Sequence, residues 1–529
     1  MTGGAGGRGV TVGEVLAPAE AWRRHGLAGT ASELVAAGTL PRAWAARWAG
    51  APGAPTLAGP EGAWLSAAEL EERTTTVAAR YAAAGLRPGD RLLVSATACV
   101  DLAVAHVAAL RLGLVVVPVN TAFGPAEIGG VAAAADPALA VLDDPGRLPG
   151  VPSTGVAVDL PGGPAPDLDV AGPDDTALLV FTSGTTGTPK GVPLSHGNLL
   201  ATSAAIEVAW RWTARDRLLL ALPLFHVHGL GVGLHGTLLA GASAVILPRF
   251  GVDAVLDAIA ATRATLMFGV PTMWVRLAAS PRVPELGALR LCVSGSAPLD
   301  PSTFAALEAG VGSPVIERYG MTETGMLVSN PYDGDRRAGS VGLALPGVEV
   351  RLEEREDVAS RPPGRRHPGA AGGDRAGEPA GEILVRGPNV FAGYLGGVGA
   401  DAFTSDAWFR TGDLGRADPD GYLRIVGRAK ELIITGGFNV YPRDVEEVLR
   451  DHPGVADVAV VGVPDPEWGE RVVACVVAGD TPATSADATA LLAWAAERLA
   501  PYKRPREVRF VDELPRNALG KVVRAALVD

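Results

Sequence analysis

Residues 181–191 read FTSGTTGTPKG: three Gly, four Thr, one Ser and one Lys, directly after the apolar run Ala177-Leu178-Leu179-Val180. A strand ending in such a loop offers backbone N–H groups, hydroxyls and one cation together, which is what a polyphosphate needs. Glycine lets the backbone come close and turn with positive φ. The loop is not a Walker A element, because Pro189 precedes Lys190 and Gly191 follows it, where that pattern requires Gly before and Ser or Thr after. Thr182, Ser183, Gly184, Thr185, Thr186, Gly187 and Lys190 are therefore candidate phosphate ligands.

A second string, ERYGMTET at residues 317–324, supplies complementary groups. Tyr319 can stack on a base, Thr322 offers a hydroxyl to a phosphate, and Glu323 is a hard oxygen ligand suited to Mg²⁺. Alone it also reads as a loop with one buried Tyr and one solvated Glu.

Together the two strings resemble the adenylate-forming superfamily of acyl-CoA synthetases, adenylation domains and luciferases. Further matches fall in the order of that superfamily along most of the chain. Ser294, Gly295, Ser296, Ala297 and Pro298 resemble its adenine-side loop, and Glu317, Arg318 and Tyr319 its adenine motif. Thr411-Gly412-Asp413 resembles the ribose motif, and Gly427-Arg428-Ala429-Lys430 the hinge. The resemblance implies that Asp413 and Arg428 hold the ribose and that Lys430 is the pivot. Residues 514–521, LPRNALGK, resemble the C-terminal catalytic motif, which makes Lys521 the mobile cation for the carboxylate and the α-phosphate. Residues 434–442, ITGGFNVYP, resemble the segment that swings in for the thiol half-reaction, so that Gly436, Gly437 and Phe438 would meet coenzyme A. The implied substrates and cofactors are ATP, Mg²⁺ and coenzyme A.

The chemistry explains the residue types. A carboxylate is a poor electrophile, because its leaving group would be oxide. Attack on the α-phosphate of ATP converts it to an acyl-adenylate, whose leaving group is AMP. Two anions must meet, so Lys521, Lys190 and Mg²⁺ on Glu323 act as electrostatic stabilisers.

Two segments are expected to line the acid pocket, PLFHVHG at residues 223–229 and VPTMWVRL at residues 270–277. Pro271 suits a first helical turn, and a helix over 272–280 would stop before Pro281. That helix places Arg276 on the face of Thr272 and Met273. An inward Arg276 needs an anion, which a second substrate carboxylate would supply; an outward one snorkels to solvent. Spacing leaves both open. Residues 330–342, NPYDGDRRAGSVG, with the strings above, resemble malonyl-CoA synthetases. That resemblance implies Arg276 on the distal carboxylate, aided by His228 or His226, with Met321 also at the acid. Departures include the long stretch 353–379 and Gly325-Met326-Leu327-Val328 after the Thr–Glu motif, which leaves the tolerated α-substituent open.

Composition sets the frame. A chain of 529 residues calls for two or more domains. Short β-branched runs alternate with Ala-rich helical stretches, giving an α/β class. The expected layout is a disordered lead at 1–10, a large multi-layer N-terminal adenylation domain at 11–429, and a small mobile α+β C-terminal domain at 430–529. Net charge of −12 argues against nucleic acid. Three separated cysteines (Cys99, Cys292, Cys475), no apolar leader and no membrane-length apolar run fit a cytoplasmic enzyme with no obligatory protein partner. The reading is therefore ligation of malonate, and methylmalonate, to coenzyme A. Its rivals are a fatty- or aryl-acid ligase, an adenylation module loading a carrier protein, and a non-catalytic homologue.

Overall fold

Runs such as Leu92-Leu93-Val94 and Val115-Val116-Val117 are buried on both faces, as strands of a parallel sheet covered by helices must be. The computed structural model describes residues 15–16, 22, 34–182, 190–313, 315–354, 380–436, 438–479, 487–517 and 520–528. The lead at 1–10, most of 353–379 and residues 183–189 lie outside these.

The described chain divides into two compact units, a larger one of residues 17–349 and 385–409 and a smaller one of 1–16, 350–384 and 410–529. The larger unit holds two sheets. One runs Ser153–Thr154, Leu139–Leu142, Arg91–Ser95, Val115–Pro118, Thr176–Thr182, Lys190–Ser195, parallel until its last antiparallel pair. The other has nine strands. Its parallel centre is Ile316–Met321, Leu291–Ser294, Leu266–Gly269, Arg217–Leu220, Ser243–Ile246 and Pro55–Ala58. Helices cover these sheets. The helix Ala67–Ala83 starts on a Ser66/Glu69 capping box, and Val100–Leu112 is buried over nearly all its residues. The expected α/β class with a large and a small part is the class observed.

The smaller unit holds two further sheets. One is ordered Val15–Leu16, Glu349–Glu353, Gly381–Arg386, Phe409–Ala417, Leu423–Arg428. In the other, Val455–Asp465 and Gly469–Ala478 form a long antiparallel pair, joined by Ile433–Thr435, Phe438–Val440 and Glu507–Phe510. Val445, Leu449, Leu491 and Ala495, from the helices Pro442–Arg450 and Ala488–Arg498, fill its core with Val460 and Val472. Sequence rhythm suggested a break at 429/430. The compact unit instead takes in 410–429, because Tyr441 packs with Leu414 and Val426 and the Arg443 guanidinium donates to the Ile425 carbonyl at 2.6 Å.

One element had no counterpart in the sequence reading. Residues His228–His235 form a π-helix. Gly229 permits it: a Cβ there would collide with the Pro223 carbonyl oxygen. Its last residue, His235, meets His106 of the helix Val100–Leu112, with Nε2 to Nε2 at 2.8 Å and rings stacked at 5.1 Å. Such wide turns are frequent near functional sites.

These imidazoles are locked neutral. Burial pulls His106 down to about 3 and His196 down to about 4, and burial first, then His106 and His196, holds His235 well below its ordinary value. Above about pH 6.5 they are neutral folded or unfolded and contribute no pH dependence. Below it the unfolded chain binds protons that the interior refuses, so stability falls by about 1.4 kcal/mol per pH unit for each such histidine. The urea midpoint should therefore drop steeply between pH 6.5 and pH 4. His106→Phe should remove about one proton's share of that slope, and an unchanged slope would contradict this account.

Candidate active site

In the larger unit, the antiparallel ladder sets Thr182 opposite Lys190, so the two ends of the phosphate loop stand abreast. Ser183, Gly184, Thr185, Thr186 and Gly187 lie outside the described residues. The Lys190 ammonium sits 5.1 Å from the ring centroid of Tyr394, over its face. The Tyr394 hydroxyl donates to Glu323 Oε1 at 3.0 Å. Glu323 is 6 % exposed and lies in the turn between the strands Ile316–Met321 and Gly325–Ser329, with Thr322 half-buried beside it. Its carboxylate is a hard-oxygen donor suited to Mg²⁺. Burial, then the Glu323 charge, pushes the Tyr394 phenol well above its ordinary value, so it remains a proton donor at neutral pH.

A second group gathers at the C-terminal ends of three neighbouring parallel strands, where α/β sheets form their clefts. Gly269 is in register with Ser294, and Ser294 with Glu317. The chain leaves Leu291–Ser294 through Gly295 and Ser296, the latter at φ 72°, a left-handed conformation. The Arg318 guanidinium passes so close to Gly295 that a Cβ there would strike its Nε and Cζ. Arg318 is 6 % exposed, and its Nε and one terminal nitrogen have no hydrogen-bond partner among the described residues. Ser294 Oγ, His228 Nε2 and Trp274 Nε1 are likewise buried without one, and Trp274 Nε1 lies 2.9 Å from where a Gly269 Cβ would be. His228 Nδ1 is 3.4 Å from Ser296 Oγ, and His226 Nδ1 accepts from the His228 backbone N–H at 3.2 Å. Burial, then the Arg318 charge, holds His228 neutral, and burial brings Arg318 down to about 9. A buried polar cluster without partners is a cluster prepared for a ligand.

Other candidates take different places. Glu317 is buried, and its carboxylate accepts from the backbone N–H of Gly339 at 2.7 Å and of Leu299 at 3.4 Å. Tyr319 and Met321 are half-buried along one strand, Ala297 is half-buried, and Pro298 is exposed. Arg276 requires a correction. Its helix runs Pro271–Ala278 and buries Met273, Trp274 and Leu277. Arg276 shares the opposite, exposed face with Thr272 and Val275, its guanidinium 5.1 Å from the Phe250 ring centroid. Arg276 is thus exposed, whereas Arg318 is buried beside Gly295.

In the smaller unit, Asp413 and Arg428 are cross-strand partners, with Nε to Oδ1 at 2.9 Å, the carboxylate buried and the guanidinium partly open. Lys430 is exposed in a short turn, and partial burial, then Arg428, lowers its ammonium. Gly436 has φ 55° and donates to the Trp468 carbonyl at 2.7 Å, while Gly437 lies outside the described residues. Phe438 is half-exposed and stacks on Tyr502 at 4.8 Å. Lys521 is half-buried; its carbonyl accepts from the Asn517 backbone N–H at 2.9 Å, and its own backbone N–H donates to the Asn517 side-chain oxygen at 3.0 Å. Tyr394 escaped the sequence reading. Arg318 is buried in the strand Ile316–Met321, but with Glu317 before it and Tyr319 after it the sequence carries no apolar pattern that marks that burial.

A family model described as AMP-binding enzyme matches residues 44–395, and one described as AMP-binding enzyme C-terminal domain matches residues 444–521. The chain belongs to this family of AMP-binding enzymes, as an acid–thiol ligase. It is 38% identical over 515 residues to a sulfoacetate–CoA ligase of Cupriavidus necator, covering 92% of this chain and 96% of that one. It is 39% identical over 482 residues to a feruloyl-CoA synthase of an Amycolatopsis species, covering 88% and 93%. A solved malonyl-CoA ligase with methylmalonyl-CoA and AMP bound shares 41% identity at a TM-score of 0.62, covering 88% of this chain and 97% of that one. No helix among the described residues is long and apolar enough to cross a membrane.

A buried guanidinium with two nitrogens lacking partners among the described residues costs folding energy. Arg318→Met should therefore raise the urea-unfolding free energy by about 1–3 kcal/mol. A loss of stability of similar size would show that Arg318 is a structural strut.

Proposed function

We propose that this ligase joins a short carboxylic acid bearing a second anion, malonate first and methylmalonate with it, to coenzyme A. The reaction would pass through an acyl-adenylate and release AMP and pyrophosphate. One observation carries the reading: the buried Arg318 guanidinium near His228, with its Nε and one terminal nitrogen lacking a partner among the described residues. A distal carboxylate or sulfonate would give it the charged partner it lacks, in bidentate geometry. The sulfoacetate and malonyl relatives both act on two-headed anions of this size, which supports the class.

In this reading Lys190, Thr322 and the loop from Thr182 to Gly187 take the triphosphate. Tyr319 and residues 294–298 flank the base, and Asp413 and Arg428 take the ribose. Glu323 would hold Mg²⁺, which when bound offsets phosphate charge. Lys521 draws the substrate carboxylate and the α-phosphate together, so that the carboxylate oxygen attacks phosphorus and pyrophosphate leaves. The smaller part of the chain, from 430 on, then pivots at Lys430, bringing Gly436, Gly437 and Phe438 to the thiol. The thiol sulfur attacks the acyl carbon, and AMP departs. His226, neutral His228 and Met321 shape the acid end.

The outward Arg276 and the feruloyl relative favour a second reading, an aryl or fatty acid in an uncharged pocket. Pyrophosphate release with malonate, sulfoacetate, ferulate and octanoate separates the two. We expect malonate or sulfoacetate to lead by a factor of about 100 or more in kcat/KM, as a buried charge pair implies. Arg318→Met should remove that lead, and Arg276→Ala should not. Preference for ferulate or octanoate, indifferent to Arg318→Met, would overturn the two-anion reading. Lys521→Ala should slow adenylation by a factor on the order of 10²–10³. Adenylate without thioester would point to a carrier-protein acceptor instead.

A further inference from the structure

The two charges that the proposed reaction sets around the triphosphate, the Lys190 ammonium and the Glu323 carboxylate, touch the same side chain. We infer that Tyr394 is a positioning residue that fixes both, its hydroxyl holding the Glu323 carboxylate and its ring face holding the Lys190 ammonium. The contacts are a hydrogen bond of 3.0 Å and a cation–ring distance of 5.1 Å. The inference rests on the assignment of Glu323 to Mg²⁺ and Lys190 to phosphate.

The segment around Tyr394 is pinned at both ends of this arrangement. The Phe391 backbone N–H donates to the Glu323 carbonyl at 2.9 Å. Leu395 packs on the strand behind Lys190, 3.1 Å from where a Gly191 Cβ would be. Between them, Tyr394 stands edge-on to Phe391 at 4.9 Å, and Phe391 packs in turn on Phe403 and Phe409. Residues 391–395 thus set the spacing between the carboxylate and the cation through a rigid aromatic wedge.

The chemistry of the contacts suits residues that must later bind something else. A carboxylate and an ammonium brought together would pair, and each would have to be pried loose by the incoming metal and phosphate. A neutral hydroxyl and a ring face give each charge a partner without neutralising it. The hydroxyl bonds one oxygen of the Glu323 carboxylate and the ring face meets the Lys190 ammonium without either contact cancelling a charge. In this bond the phenol hydroxyl is the donor and the Glu323 carboxylate the acceptor.

Tyr394→Phe removes the hydroxyl and keeps the ring; Tyr394→Leu removes both. With Y394F, the Mg²⁺ concentration for half-maximal ATP–pyrophosphate exchange should rise about tenfold and maximal exchange should fall by a factor of about 10–100, the scale of a hydrogen bond to a charged group. The KM for the acid should stay within about twofold, the acid lying outside these contacts. Calorimetric binding supplies a readout apart from turnover. Y394F should weaken MgATP by about tenfold and leave ATP in EDTA unchanged, whereas Y394L should weaken ATP in EDTA as well, by about three- to tenfold. Each Mg²⁺ response is a ratio within one variant, so a partial loss of folded protein cancels. In a Glu323→Gln background, Y394F should add nothing. A wild-type Mg²⁺ response in Y394F, or losses equal with and without Mg²⁺, overturns the positioning role. Wild-type exchange in Glu323→Gln overturns it by a different route, because the metal assignment then fails first.

Discussion

A guanidinium enclosed in a protein interior without a carboxylate sets the terms for everything near it. Arg318 is placed there by the strand Ile316–Met321, with its side chain buried. The residue opposite must be glycine, because any side chain at 295 would occupy the guanidinium's place. His228 must be uncharged, because a second cation there would have no counter-ion either. Ser296 takes a left-handed conformation with its hydroxyl 3.4 Å from His228 Nδ1. These are separate sequence choices with a single electrostatic cause.

The scaffold meets that demand by ordinary means. Parallel strands end at one edge of a sheet, so residues far apart in sequence arrive as neighbours there: Trp274 beside Gly269, Ser294, and Arg318 each come from a successive strand or its exit. The π-helix adds a fourth contributor. Its wide turns begin at His228 and end at His235, where the stacked bond to His106 fastens it to the other side of the unit. An α-helix over the same residues would change the rotation of His228 relative to His235 and break one of the two contacts. Backbone geometry and pocket chemistry are tied at this point.

Local patterns revealed the site only where its chemistry is local. The loop at 181–191 and ERYGMTET stand out as candidates because a polyphosphate would be held by consecutive residues, and the α/β class is legible because strands buried on both faces read as unbroken apolar runs. Spacing left the surroundings of Arg276 open for a physical reason. Helical spacing says which residues share a face, and Arg276 does share one with Thr272, but spacing does not say which face is covered. Trp274, Met273 and Leu277 were the stronger hydrophobic claim on the core. Tyr394 left no local trace at all. Its partners lie 71 and 204 positions away, so its contacts exist only once the sheets are assembled. The domain edge eluded the composition for a similar reason: residues 410–429 look like the end of one sheet, and only Tyr441 and Arg443 reveal what they pack against.

The charge balance of the pocket bears on the acid it takes. His228 and Arg318 are both nitrogen bases, but only one is charged at neutral pH: burial brings the guanidinium down to about 9, still above the working range, while the imidazole is held well below its ordinary value. Under the proposed reading one positive charge would therefore meet one negative charge, with the neighbouring imidazole and hydroxyls as neutral hydrogen-bond partners for the remaining lone pairs. Were both bases cationic, a monoanionic head group would leave the cavity with excess charge. Were neither, the head group would be desolvated without recompense. The arrangement suits a group that is fully ionised, compact and trigonal or tetrahedral at its acidic centre, which describes a carboxylate or a sulfonate and not a phenol or an alkyl chain. Selectivity against longer apolar acids then follows from the same charge, since an apolar tail in that space would leave Arg318 buried with nothing to face.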